Sequence, residues 1–323
     1  MKEKKIKIIC TLGPSSLNKD FLKFAKNKVN LLRLNMSHVK IKELKKHINF
    51  IKKYSNIPIC IDTEGAQVRT KVNNEKIIKL GQKIIIKNRN SNFKFYPEKI
   101  FNQIKINDIL SVGFDNLKIK VIKIKNKILT CKSISSGKFE NNKGVHLENR
   151  KIKLDFLTPK DFEAIKIGKK LNIKYYALSF TNSFEDIIKF NKLLKTENKI
   201  FKIETSSAIR NFKKFLKNGD QFLIDRGDLS KEVKIENIPV IQRDLFYLKK
   251  KNKEKKIFVA TNLLESMLEK SAPTRGEAND IFNSLEMGAN GLVLAAETAI
   301  GKHPKNSVNF LRQMIKVYLR SKY

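Results

Sequence analysis

The stretch Phe201–Asp228 reads FKIETSSAIRNFKKFLKNGDQFLIDRGD. It opens with Phe201-Lys-Ile-Glu204 and closes with Phe222-Leu-Ile-Asp-Arg-Gly-Asp228, two short apolar runs that each end in charge. Apolar runs of this length bounded by turn signals read as buried strands of a parallel sheet. Between them, Ala208–Lys217 is amphipathic and long enough for one short helix. The unit is strand, helix, strand, and in a closed α/β barrel the carboxyl ends of the strands are where chemistry is done. Lys202, Glu204 and Asp228 would converge there. Two carboxylates suit a hard divalent cation such as Mg²⁺, and a lysine beside them suits a phosphoryl group. Ordinary ion pairs at strand ends would use the same residue types, so at this level both readings stand.

The same alternation extends in both directions. Strand-like runs fall at Lys5–Thr11, Leu31–Asn35, Pro58–Asp62, Tyr175–Ser179, Phe201–Ile203, Phe222–Asp225, Lys256–Val259 and Gly291–Leu294, with helical segments between them. Eight strands alternating with helices predict a (β/α)₈ TIM barrel, closed by a last helix at about Ser307–Arg320. One interval breaks the rhythm. More than a hundred residues separate the third strand from the fourth, and much of Lys76–Ser133 alternates apolar and polar. Period-two alternation punctuated by Asn and Gly predicts antiparallel strands. The expectation is a barrel of residues 1–70 and 151–323, with a small all-β lid domain, 71–150, inserted between the third strand and the following helix.

Composition excludes some functions and leaves others open. The chain has 323 residues, 41% hydrophobic and 31% charged, as in a soluble globular protein. No run approaches the ~18 apolar residues of a membrane span. The lysine-rich start runs straight into a strand pattern with no signal-peptide core, so the expected location is the cytoplasm. The three cysteines, Cys10, Cys60 and Cys131, lie in apolar runs as reduced core residues would, and the four histidines show no metal-ligand spacing. A net charge of +37 implies nonspecific polyanion binding at low salt. Yet the lysines are spread along the chain with many Ile, Asn and Phe, the mixture A/T-rich codons would produce. Neither a P-loop nor a GxGxxG motif is present.

Several segments, in order, resemble pyruvate kinases. They are Lys7-Ile-Ile-Cys-Thr-Leu-Gly-Pro-Ser15, Arg33-Leu-Asn-Met-Ser-His38, Asp62-Thr-Glu-Gly-Ala-Gln-Val-Arg-Thr70, Lys143-Gly-Val-His-Leu147, Lys202-Ile-Glu204, Arg226-Gly-Asp-Leu229, Ala260-Thr-Asn-Leu-Leu-Glu-Ser-Met267, Pro273-Thr-Arg-Gly-Glu277 and Glu297-Thr-Ala299. The resemblance implies transfer of a phosphoryl group from phosphoenolpyruvate to ADP, giving pyruvate and ATP. It implies Mg²⁺ on Glu204 and Asp228, and charge neutralisation by Lys202 and Arg33. Substrate carboxylate would meet the backbone N–H groups at Gly227 and Asp228, and Thr261 would relay a proton. Asn35, Ser37, Asp62 and Thr63 would offer oxygens to K⁺, and His38, Arg69 and Lys143 would approach the nucleotide.

The pattern also departs from that family. Asp225 stands where the family has alanine, and would repel an anionic substrate unless it is paired with a lysine or neutral. Ala295 and Ala296 replace a Ser-Gly pair, and Ile300 replaces a lysine that helps hold the nucleotide. Glu64, Ala66 and Gln67 replace Lys, Pro and Glu, Asn182 replaces an arginine, and Ser230 replaces a glycine. The family's C-terminal domain, with its effector site and one subunit interface, is expected to be missing, in which case assembly would use barrel surfaces. Two rivals remain at this stage: a related Mg²⁺-dependent enzyme acting on another enol phosphate or 2-oxo acid, and a non-catalytic regulatory or nucleic-acid-binding paralogue.

Overall fold

Eight strands, Lys7–Thr11, Leu31–Asn35, Ile59–Asp62, Tyr175–Leu178, Asn198–Ile203, Gln221–Asp225, Lys256–Ala260 and Gly291–Leu294, lie side by side in chain order. Every neighbouring pair is parallel, and the eighth pairs with the first to close the barrel. These coordinates come from a computed structural model that describes residues 6–88, 90–113, 117–148, 150 and 152–321. Lys5, expected in the first strand, lies outside them. The third strand begins at Ile59, not Pro58. Proline has no N–H for the ladder, although its carbonyl still accepts from Leu32 N at 2.9 Å.

Every strand contributes to a buried cluster inside the barrel: Ile9, Leu31, Cys60, Ala177, Ile200, Leu223, Phe258 and Val293, with Ala260 as a second residue of the seventh strand. Filled layers of this kind make the barrel interior a packed core. Side chains alternate along a strand, so the residue two positions further on faces the same way. For the first six strands those residues are Thr11, Arg33, Asp62, Ser179, Lys202 and Asp225. The interior therefore changes within one layer from apolar to polar, at the carboxyl ends of the strands. All six are buried.

Amphipathic helices cover the outside. The helix Ser206–Phe215 buries Ala208, Phe212 and Phe215, a spacing of four then three that keeps them on one face. Thr205 caps it by accepting from Ala208 N. The last helix, Pro304–Arg320, starts three residues before the expected Ser307 because Pro304 occupies the first turn, where its missing N–H is harmless. No helix of the described residues is long and apolar enough to cross a membrane.

The chain divides into two compact units, Met1–Gly65 with Pro159–Tyr323, and Ala66–Thr158. In the second, seven strands close into a sheet of their own, antiparallel except where Lys83–Ile86 meets Phe93–Tyr96. The alternating residues Leu117, Ile119 and Val121 point into its core with Leu129 and Cys131. The hairpin Leu117–Lys125/Ile128–Ser133 turns at Asn126-Lys127, both left-handed, as a two-residue hairpin turn that matches strand twist requires.

Candidate active site

The polar layer of the first unit is an ionic cluster. Lys202 Nζ lies 2.9 Å from Glu204 Oε2, 3.1 Å from Asp225 Oδ2 and 3.7 Å from Asp62 Oδ2, and donates to the Ser179 hydroxyl at 3.3 Å. Arg33 Nε pairs with Asp62 Oδ2 at 2.7 Å, and Arg33 Nη1 donates to the Thr11 hydroxyl. Ser179 completes the link by donating to Asp62 Oδ1 at 3.1 Å. Parallel register explains the convergence: on the fifth strand, which pairs with both the fourth and the sixth, Phe201 lies opposite Leu178 and Ile203 opposite Ile224, so Ser179 comes level with Lys202 and Asp225 with Glu204.

Burial governs the protonation of this cluster. It disfavours charge on Lys202, but Asp62, Glu204 and Asp225 outweigh it and hold the ammonium firmly protonated. Burial likewise opposes ionisation of Asp225. There Lys202, Arg33 and the Thr261 hydroxyl prevail and hold the carboxyl well below its usual range. Glu204 goes the other way. Burial, then the charges of Asp228 and Asp225, overcome Lys202 and push it up to about 8.

Carboxylate oxygens of Glu204, Asp225 and Asp228 lie within 4.8 Å of one another. Hard oxygen donors at this spacing, one of them pushed toward protonation by burial and by its neighbours, fit a divalent cation such as Mg²⁺, and with both Asp225 oxygens engaged by Lys202 and Thr261 the pair left for it is Glu204 and Asp228. Asp228 sits in the short helix Arg226–Leu229 that follows the sixth strand, where Lys231 pairs with it at 2.6 Å. At Gly227 a Cβ would stand 2.7 Å from Thr261 Cγ2, so only glycine lets this turn approach the seventh strand's end. Thr261 follows that strand with φ 75°, and its hydroxyl donates to Asp225 Oδ1 at 2.7 Å.

Other expected site residues fall in two groups. Asn35 and Asp62 are register partners at the ends of the second and third strands. Ser37 N donates to Asn35 Oδ1, and Thr63 Oγ1 accepts from Ser179 N. One corner of the barrel mouth thus carries all four residues expected near a monovalent cation. The nucleotide set is divided between the units. His38 is exposed in the turn after the second strand of the first unit. In the second unit Arg69 donates to the Asn142 carbonyl and Lys143 pairs with Glu140 at 3.1 Å. Arg69 and Lys143 are close there, since Gly144 is the register partner of Arg69.

Three contributors escape the sequence reading. Ser179 is uncharged, and its only signal is its position at a strand end. Arg226 pairs with Asp280 and donates to the Thr261 carbonyl. Buried Glu297 accepts from Leu264 N and Ala295 N, tying the loops after the seventh and eighth strands together. Asp225 answers the question raised by its charge: its partner is no surface lysine but Lys202 itself.

A family model described as pyruvate kinase, barrel domain, matches residues 3–308. The pyruvate kinase of Staphylococcus haemolyticus (strain JCSC1435) is 32% identical over 332 residues, covering 96% of this chain and 56% of that protein. Those of Staphylococcus epidermidis (strain ATCC 12228 / FDA PCI 1200) and Staphylococcus aureus (strain MRSA252) are 32% and 31% identical over 331 residues, with the same coverage. The chain thus spans a little over half the length of these curated relatives.

Proposed function

Because the chain belongs to the pyruvate kinase family, we propose that its barrel unit moves the phosphoryl group of phosphoenolpyruvate to ADP, releasing pyruvate. The observation that carries this reading is the convergence of Lys202, Glu204, Asp228 and Thr261 at successive strand ends. Glu204 and Asp228 would hold Mg²⁺, which supplies Lewis-acid charge to the enol and phosphoryl oxygens. Lys202 and Arg33 act on the transferring group by position and charge, the two contributions that dominate phosphoryl transfer. The N–H groups of Gly227 and Asp228 lie in the first turn of a helix, free of intrahelical partners, and bind the substrate carboxylate. The Thr261 hydroxyl would relay a proton to the enolate carbon, through water. Asn35, Ser37, Asp62 and Thr63 offer oxygens to K⁺, while His38, Arg69 and Lys143 are assigned to ADP.

One observation favours a second reading. The ion pair between Asp225 and Lys202 makes the site less welcoming to a highly charged phosphoryl group, as in an enzyme for a related, less anionic 2-oxo acid. A coupled assay of pyruvate formation from phosphoenolpyruvate, ADP and Mg²⁺, with and without K⁺, separates the two. Turnover that stops when ADP is omitted supports the kinase reading. Absence of pyruvate under either salt, with Mg²⁺-dependent oxalate binding retained, supports the second.

A further inference from the structure

The Lys202 ammonium has three protons to donate, and three partners take them: Glu204 at 2.9 Å, Asp225 at 3.1 Å and the Ser179 hydroxyl at 3.3 Å. No fourth proton is left for a phosphoryl oxygen. The single Thr261 hydroxyl proton is likewise given to Asp225, at 2.7 Å. One carboxylate therefore engages both groups that the mechanism needs at the reacting end of the substrate.

We propose that Asp225 is the specificity-determining residue of this site, an internal anion that holds Lys202 and Thr261 and so lowers the affinity for a phosphoryl-bearing trianion. The inference rests on the kinase reading above and deepens it. Charge points the same way. Asp225 keeps an ionised carboxylate against the two buried cations of the cluster, Lys202 and Arg33, and removing it leaves both less compensated. An incoming phosphoryl group meets that fixed negative charge at low dielectric, where each unit charge weighs far more than in water. Nor can the contact be avoided by a swing of the loop. Arg226, anchored on Asp280, donates twice to the Thr261 carbonyl and fixes the hydroxyl over Asp225. To bind phosphoenolpyruvate productively, Asp225 has to release Lys202 and Thr261 together.

The test compares the wild-type chain with Asp225→Ala and Asp225→Asn by calorimetric titration of Mg²⁺, then of phosphoenolpyruvate and of oxalate in Mg²⁺. Asparagine keeps the shape and removes only the charge, so it carries the test if the alanine variant folds poorly. Phosphoenolpyruvate is expected to bind at least about tenfold more tightly to the variants, oxalate to gain less, and Mg²⁺ to weaken by no more than a few-fold. Unchanged or weaker phosphoenolpyruvate binding, with Mg²⁺ and oxalate still bound, overturns the role of Asp225 while leaving the kinase reading intact. A loss of Mg²⁺ affinity well beyond tenfold also overturns it, because Asp225 is then a metal ligand. Failure of all three proteins to bind either organic anion removes the kinase reading, and this inference with it.

Discussion

Arg226 donates to the Thr261 carbonyl oxygen from Nη2 at 2.7 Å and from Nε at 3.1 Å, pinning a β-branched residue in left-handed backbone, φ 75°. Threonine in this region costs roughly 1–2 kcal/mol that glycine avoids. Thr261→Ala keeps the strain and loses the hydroxyl, whereas Thr261→Gly loses both. The glycine variant should therefore be the more stable of the two, by about 1 kcal/mol in denaturant unfolding. Both should lose pyruvate formation by on the order of a hundredfold if the hydroxyl relays the proton. An alanine variant more stable than the glycine variant would show that the backbone there is not strained.

Lys202 is the only cation in contact with Glu204 and Asp225 among the ion pairs of the described residues. Lys202→Met leaves those carboxylates buried without it, a loss of about 3–5 kcal/mol typical of breaking a buried pair. Phosphoryl transfer should vanish. Divalent cation binding should survive, because the same carboxylates gain from any positive charge. Mg²⁺ is thus expected to raise the melting temperature of the variant more than that of the wild type. Substantial turnover by Lys202→Met would refute its role in neutralising the phosphoryl group.

Glu204 gives the site a pH signature. Its folded-state pKa, about 8, lies above the ordinary 4.5, so the folded chain retains a proton that the unfolded chain has released between those values. Its contribution to stability is full below pH 4.5 and declines as pH rises toward 8. A metal needs the ionised carboxylate, so Mg²⁺ binding at pH 7 should release close to one proton, and apparent affinity should climb until about pH 8. Calorimetry in buffers of different ionisation enthalpy reads the released proton directly. The same binding heat in every buffer would mean that Glu204 is already ionised.

The barrel is legible in the sequence because each strand carries a local signal, a short apolar run, and because most of these runs end in a polar or charged residue, as at Asn35, Asp62, Ser179 and Asp225. The partner of Asp225 is not legible. Its neighbour depends on which side chains of the fifth and sixth strands face the same way at the barrel mouth, and 68 basic residues compete for the assignment on paper. Thr261 carries no warning of its conformation either, since left-handed backbone is expected of glycine or asparagine. In the second unit the alternation of Leu117–Lys125 predicts a strand. The pairing of Ile128–Ser133 with Lys83–Ile86, some forty residues earlier, depends on nonlocal contacts that periodicity does not encode.

Gly227 couples the helix turn to the seventh strand end, and this contact can be tested by compensation. A Cβ there would lie 2.7 Å from Thr261 Cγ2, 3.5 Å from Thr261 Cβ and 3.6 Å from Asp225 Oδ1. Thr261 is held by Arg226 and cannot simply retreat. Gly227→Ala gains helix propensity worth about 1 kcal/mol against overpacking of about 1–3 kcal/mol, so the net stability change should be small. Activity should fall much further, because relief of the clash turns the Thr261 hydroxyl away from Asp225. The clash is with a methyl group that serine lacks. Adding Thr261→Ser to Gly227→Ala should therefore recover much of the lost kcat, a coupling between the two positions that separate, additive effects would not produce. A double variant no more active than Gly227→Ala alone would mean that the glycine serves the substrate through its backbone N–H and not through the space it leaves for Thr261.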